Sequence, residues 1–149
     1  MVIQRLQNLY LMIAAILIAV YAFTASVMAK VGETVYSFDC IRQISQEGVK
    51  YLPVSLVLAI LAFALVIVSI VKYDDLKTQK SAVCRSLLIC MALLVYVCVN
   101  AYFTADAIGA SLSFTWAIAM PIVVIVLHLM AVKGIKHDIK LLSDSDRIR

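Results

Sequence analysis

The chain alternates between long apolar stretches and short charged ones. Four apolar stretches, at residues 9–29, 51–71, 86–105 and 112–132, contain no Lys, Arg, Asp or Glu. Each is close to the ~20 residues that an α-helix needs to cross a hydrocarbon layer about 30 Å thick. The pattern predicts an all-α integral membrane protein, with a single transmembrane domain built as a four-helix bundle.

The composition supports this class. Hydrophobic residues make up 64% of the 149-residue chain, above the roughly 45–50% of soluble domains. The first stretch also resembles a signal peptide, because Arg5 precedes it and Val27-Met28-Ala29 looks like a cleavage site. Its apolar run exceeds the usual ~7–15 residues of a signal core, which favours a retained span.

The charges predict the orientation. Of the 13 Lys and Arg residues, only Lys30, Arg42 and Lys50 lie on the side that carries the first and third connections. Cytoplasmic segments collect Lys and Arg, so both termini are predicted to lie in the cytoplasm. The net charge of +4 is therefore explained by the membrane orientation and, secondarily, by attraction to anionic lipids. No nucleic-acid partner is predicted.

The connections between the predicted spans differ in kind. Residues 34–38 are rich in β-branched and aromatic side chains, with Gly32 and Gly48 outside them. They predict a short extracytoplasmic hairpin, or else an ordered loop at the membrane interface. Residues 106–111 are small, which predicts a tight turn and an adjacent antiparallel pair of spans three and four.

Small residues form stripes on the first two predicted spans. Stripes of this kind let helices approach closely in lipid, so these two spans are predicted to pack on them. The stripes are Ala15, Ala19, Ala22, Ser26 and Ala29 in the first span, and Ser55, Ala59, Ala62 and Ser69 in the second.

Few polar residues lie inside the predicted spans. Asn100 and Thr104 have two interpretations, the mouth of a path for a polar solute or an interhelical hydrogen bond from Asn100, and the second is favoured. Pro121 lies near the centre of the fourth stretch, where it predicts a kink. His128 is predicted to be interfacial.

Catalytic chemistry has little support in the residues. Cys40 is the only cysteine on the predicted outer side, whereas an outer redox pair needs two. No catalytic motif or metal-ligand spacing occurs. The sequence therefore predicts no catalytic, cofactor or metal site, and no enzyme.

The ends of the chain carry a resemblance to a known family. The opening Met1-Val2-Ile3-Gln4-Arg5-Leu6-Gln7-Asn8-Leu9-Tyr10-Leu11 and the closing Ser145-Asp146-Arg147-Ile148-Arg149 resemble an uncharacterised family of four-span inner-membrane proteins from Bacteroidetes, known as a domain of unknown function. The resemblance implies a multi-pass protein of the bacterial inner membrane with no assigned activity.

Both ends are predicted to share the cytoplasmic face and to form one partner-binding surface. Its candidate residues are Gln4, Arg5, Asp146, Arg147 and Arg149. The cytoplasmic tail, residues 133–149, has an apolar helical edge, which predicts an amphipathic segment on the membrane or a partner, or else a solvated tail. The predicted function is a non-enzymatic accessory or scaffold subunit that contacts lipid and a membrane-protein partner or a second copy. The alternative is a small-solute transporter or channel acting as an oligomer.

Overall fold

The computed structural model describes residues 2–45 and 48–146, with side chains described for residues 6–44 and 48–144. The helices are α1 (Val2–Ala22), α2 (Pro53–Val71), α3 (Leu76–Ile108) and α4 (Ala119–Asp146), and a short 3₁₀ helix, Trp116–Ile118, precedes α4. The strands are β1 (Val27–Val31), β2 (Thr34–Phe38), β3 (Arg42–Ser45), β4 (Gly48–Tyr51) and β5 (Ser111–Phe114). The fold is mostly helical with one added sheet.

Local chemistry sets where α2 and α3 begin and end. Pro53 opens α2, where its fixed φ suits the first helical turn. Asp75 caps α3, because its carboxylate accepts hydrogen bonds from the backbone N–H groups of Lys77 and Thr78. Gly109 ends α3 at φ 63°, a left-handed conformation that glycine adopts without steric cost.

Pro121 lies in the first turn of α4. The apolar pattern began the fourth span at residue 112, but residues 112–114 belong to β5 and α4 begins at Ala119. Pro121 is thus the third residue of the α-helix, where a backbone N–H lacks a partner within that helix. The prediction that Pro121 kinks the middle of the helix is wrong.

The four helices pack in a closed ring. The helix α1 packs on α2 and α4, and α3 packs on the same two helices. Buried residues recur every three or four positions, as in bundles whose side chains interdigitate. They are Gln7, Leu11, Ala14, Ile18 and Tyr21 on α1; Ser55, Ala59, Ala62, Val66 and Ser69 on α2; Gln79, Val83, Ser86, Cys90, Leu93 and Val97 on α3; and Val124, His128, Ala131, Ile135 and Asp138 on α4.

The predicted small-residue stripes account for part of this packing. All four stripe residues of α2 are buried, and the Ser86 hydroxyl of α3 donates to the Ala62 carbonyl oxygen at 3.0 Å. On α1, Ala15 is buried and Ala19 is exposed, whereas Ser26 and Ala29 lie beyond the end of the helix. The stripe of α2 is therefore an inward face that serves α3 as well as α1.

The connections between helices form one antiparallel sheet in the order β4-β3-β2-β1-β5. Strands β1 to β4 come from the connection between α1 and α2, where a short hairpin or an ordered loop was predicted. Strand β5 comes from the connection between α3 and α4 and pairs with β1, with Lys30 opposite Ser111. That connection is longer than the predicted tight turn, although α3 and α4 pack together as expected.

The sheet covers one end of the helix ring. Val27, Ala29 and Phe38 of the sheet are buried in one cluster with Tyr21 of α1 and with the second half of α3. A separate cluster of buried residues fills the other half of the ring. The molecule thus has a sheet end and an opposite end, which holds the turn between α2 and α3.

Large apolar side chains cover the outside of the helices, among them Ile16, Ile60, Val95 and Leu129. Three helical stretches are long and apolar enough to cross a membrane, namely Pro53–Val71, Leu76–Ile108 and Trp116–Asp144. The described apolar part of α1, Leu6–Ala22, is shorter. The helices are therefore compatible with a membrane protein.

Candidate functional site

Polar side chains are buried between the helices at the end opposite the sheet. Gln7 of α1, Gln79 of α3 and Asp138 of α4 are each at most 8% exposed. Each continues the row of buried residues that its helix turns toward the inside of the ring. We call Gln7, Asn8, Gln79 and Asp138 the polar layer.

Gln7 and Asp138 join α1 to α4. The Gln7 amide nitrogen Nε2 donates to Asp138 Oδ2 at 2.7 Å. Gly134 makes room for this contact, because a Cβ at that position would lie 2.9 Å from Gln7 Cγ. The Gln7 amide oxygen Oε1 is buried and has no hydrogen-bond partner among the described residues. A buried acceptor without a partner lowers stability.

Gln79 and Asn8 join α3 to α1. The Gln79 amide nitrogen Nε2 donates to Asn8 Oδ1 at 3.1 Å. The residues Gln7 and Asn8 are adjacent in α1, so one turn of this helix is fastened to both of its polar partners on α3 and α4. Hydrogen bonds of this kind between helices in lipid contribute about 0.6–2 kcal/mol each.

His128 and Ser86 join α4 to α3 further along the ring. His128 Nδ1 lies 2.8 Å from the Val124 carbonyl oxygen, and Nε2 lies 3.1 Å from Ser86 Oγ. A carbonyl oxygen accepts only, so Nδ1 carries a proton. A neutral imidazole must then accept at Nε2, and Ser86 shares its single proton between His128 and the Ala62 carbonyl oxygen.

The Ser86–His128 spacing resembles that of a nucleophile and its base. Both side chains are completely buried, at 0% exposure, and a third helix is tied to the pair through Ala62. The arrangement therefore acts to fix the register of α2, α3 and α4. Among the described residues, no three of His, Cys, Asp and Glu are grouped as metal ligands.

The residues predicted as intramembrane polar sites lie elsewhere on α3. Asn100 and Thr104 are half-buried near its sheet end. The Asn100 amide nitrogen donates to the Tyr96 carbonyl oxygen at 3.1 Å, within its own helix. The predicted interhelical bond from Asn100 is therefore replaced by one inside α3, and Asn100 is not part of the polar layer.

The predicted partner surface falls largely beyond the described side chains. Gln4, Arg5 and Asp146 belong to helices whose backbone is described, but their side chains are not. Arg147 and Arg149 lie outside the described residues. The helix α4 extends through most of the predicted tail, where Ile135 is fully buried and Leu142 is 57% exposed. The start of the tail is therefore part of the bundle.

The polar layer was not predicted, because the sequence was searched for polar residues inside the apolar stretches and Gln7, Asn8, Gln79 and Asp138 lie outside them. His128, which was predicted to be interfacial and lies outside this layer, is fully buried between the helices. The available signal was periodicity. Gln7 precedes Leu11 and Ala14 at helical spacing, and Asp138 follows Ala131 and Ile135 in the same way, so each continues an inward stripe.

The cysteines do not contribute to this site. Cys40 and Cys90 are buried, Cys84 and Cys98 are half-buried, and all four are free thiols. Burial raises the pKa of Cys40, which lies between β2 and β3, to about 12, and the nearby Asp39 carboxylate adds to this effect. A thiol with such a pKa is unreactive near neutral pH.

The apolar helices, which bury polar side chains between them, suggest a membrane-associated helical protein. The chain belongs to the family described as a domain of unknown function, DUF4293, whose model matches residues 3–148. No curated protein matches the chain. The resemblance seen at the ends of the chain is thus confirmed for the uncharacterised family, whereas its bacterial group and its four spans stay predictions.

Proposed function

We propose that the protein is a non-enzymatic scaffold or accessory subunit of a complex in the bacterial inner membrane, with all four helices in the bilayer. The observation that carries the proposal is the distribution of side-chain size. Many fully buried positions, such as Ala14, Ala62, Val83 and Ala131, hold small residues beside a few large ones, while many large apolar side chains face outward. In a bilayer, outward apolar faces contact lipid or the helices of another protein. Such faces suit a subunit that binds other membrane proteins.

The orientation we propose has both termini in the cytoplasm. The sheet end carries Lys30, Arg42 and Lys50, whereas the opposite end carries most of the Lys and Arg of the described residues. The positive-inside rule places the more basic end in the cytoplasm. The sheet would then lie outside the inner membrane.

Membrane embedding can be tested first. Isolated membranes washed with alkaline carbonate should retain the protein, because the exposed apolar side chains of all four helices need lipid. Release of the full chain into the wash would contradict the membrane placement on which the proposal depends.

The partner surface can be tested with the tail. The residues Leu141, Leu142, Ser143 and Asp144 are exposed, so deleting residues 143–149 removes none of the buried contacts described above. We expect this variant to keep its thermal midpoint and to lose partners that co-purify with the full chain in mild detergent.

A matched control replaces residues 143–149 by a Gly/Ser segment of the same length, which keeps the chain length and removes the side chains. Both variants should lose the same partners, as identified by mass spectrometry. Retention of every partner by both variants would mean that the tail is only a topology signal.

One observation favours the alternative of a small-solute transporter that acts as an oligomer. Asp138 is 8% exposed and has no ion-pair partner among the described residues, and buried acids in membrane helices often mark solute or proton paths. In proteoliposomes, solute uptake by the wild-type chain that is lost in Asp138→Asn, with folding unchanged, would place the transporter ahead of the scaffold.

A further inference from the structure

A groove runs between α1 and α2 at their sheet ends. It has a volume of about 290 Å³ and is lined only by apolar side chains, including Ala19, Ala22, Ala59 and Phe63. Ala19 is exposed, and the small side chains of Ala22 and Ala59 leave the space between the two helices unfilled. An open apolar groove at this depth of a bilayer would receive a hydrocarbon chain.

A second pocket, with polar side chains in its lining, adjoins the groove. Phe23 and Ile41 line both, and the second pocket, of about 270 Å³, adds Asp39, Arg42 and Tyr51. Its residues belong to the ends of α1 and β4 and to the loop and strand between them. An apolar groove and a pocket with polar lining thus share two side chains at the boundary between helices and sheet.

Arg42 is positioned to receive an anion in this polar pocket. Its Nε donates to Asp39 Oδ2 at 3.4 Å, and its side chain is 51% exposed while that of Asp39 is 7% exposed. Asp39 Oδ1 also accepts from the backbone N–H of Ile41 at 2.9 Å. The Asp39 carboxylate therefore anchors one edge of the guanidinium, whose other nitrogens have no hydrogen-bond partner among the described residues.

Tyr51 lies beside Arg42 for a reason of register. The two residues are paired across β3 and β4, and directly opposed residues of an antiparallel pair project from the same face of the sheet. Tyr51 is 71% exposed and Phe23 is 75% exposed, as aromatic residues often are at a membrane interface. The pocket thus presents a guanidinium and a phenol at the boundary between the helices and the sheet.

We propose that the groove and the pocket together bind one phospholipid, with an acyl chain between α1 and α2 and the phosphate on Arg42. The proposal rests on the membrane placement given under Proposed function, but not on the scaffold role. Guanidinium groups bind phosphate through paired charge-assisted hydrogen bonds, and the apolar groove shares Phe23 and Ile41 with the pocket that holds Arg42. A lipid in this place would fasten the sheet to the helices from outside.

The test measures lipid retained by the full chain in mild detergent. Native mass spectrometry with added short-chain phosphatidylglycerol should show one lipid per chain. Ala19→Leu fills the groove from an exposed position, and Arg42→Gln removes the phosphate contact. We expect each change to weaken binding roughly tenfold, the effect of losing one charge-assisted hydrogen bond or a similar apolar contact.

Two matched variants control for general effects. Ala64→Leu adds the same apolar group at an exposed position of α2 outside the groove, and Lys50→Gln removes a charge from an exposed position of β4. Both should bind like the wild type. If Arg42→Gln lowers the thermal midpoint, the comparison of Ala19→Leu with Ala64→Leu decides the question.

Two further probes separate the parts of the ligand. A diacylglycerol with the same chains should bind more weakly than the phospholipid, and inorganic phosphate should not displace the phospholipid at equal concentration. Equal binding of diacylglycerol, or unchanged binding in both Ala19→Leu and Arg42→Gln, would overturn the proposal. Phosphate binding that needs Arg42 but ignores Ala19→Leu would identify a free anion site instead.

This experiment is independent of the partner experiment. Lipid binding is measured on the isolated chain, so its failure would leave the scaffold proposal standing. Loss of the partner in the tail deletion, in turn, says nothing about Arg42. Release of the protein by carbonate would overturn both.

Discussion

Replacing Gly134 with alanine sets two opposing effects against each other. A Cβ at this position would lie 2.9 Å from Gln7 Cγ and 3.0 Å from Gln7 Nε2, whereas ordinary contacts between carbon atoms are about 3.5–4.0 Å. The Gln7 side chain must therefore move by roughly 0.5–1 Å. The movement pulls Nε2 away from the Asp138 carboxylate, which it contacts at 2.7 Å.

The sizes of the two effects predict the outcome. Alanine favours a helix over glycine by about 1 kcal/mol. A hydrogen bond to a charged group contributes about 1.5–3 kcal/mol, and crowding in a packed interior costs about 1 kcal/mol or more. We expect Gly134→Ala to lower the free energy of unfolding by about 2 kcal/mol, against the direction of helix propensity.

The control is the same substitution in a Gln7→Ala background. That change removes every Gln7 atom that approaches the new Cβ, so Gly134→Ala should then stabilise the protein by about 1 kcal/mol. Thermal unfolding of the four proteins in mild detergent, followed by far-UV circular dichroism, measures both values. A higher thermal midpoint for Gly134→Ala in the wild-type background would refute the packing described here.

Three further predictions concern other parts of the chain. Ser86→Ala should lower the free energy of unfolding by about 1–2 kcal/mol and by less in a His128→Leu background; equal losses in thermal unfolding would show that the pair does not interact. Burial raises the pKa of Cys40 to about 12, so a maleimide near neutral pH should label this thiol only after denaturation. Labelled Cys40 in the native protein, detected by mass spectrometry, would contradict this prediction. The Thr78 side chain donates a hydrogen bond to the Asp75 carboxylate and holds the pKa of that carboxyl below its usual value. The ionised Asp75 therefore stabilises the fold fully above the unfolded-state pKa of about 3.9, and this stabilisation is lost as pH falls through the lower folded-state pKa. Asp75→Asn should remove this share of the acid sensitivity, and an unchanged pH dependence of the thermal midpoint would contradict the assignment.

The sequence by itself determined the features that depend on neighbouring residues. Hydropathy located the four apolar segments, and the β-branched and aromatic residues 34–38 indicated a strand or hairpin where β2 lies. The regular spacing of Ser55, Ala59 and Ala62 identified the inward face of α2. Such signals are local, because a helix face or a strand is defined within a few turns of one segment.

Only the tertiary structure decided the features that join distant segments. Gln7 and Asp138 are 131 positions apart, Asn8 and Gln79 are 71 apart, and the pairing of β1 with β5 brings Lys30 opposite Ser111. Because of the β1–β5 pairing, residues 112–114 of the fourth apolar stretch lie in a strand, and α4 begins so late that Pro121 lies in its first turn. Hydropathy reports how a residue partitions between water and lipid, whereas a buried hydrogen bond depends on which group lies opposite. That choice is made only when the helices and strands pack.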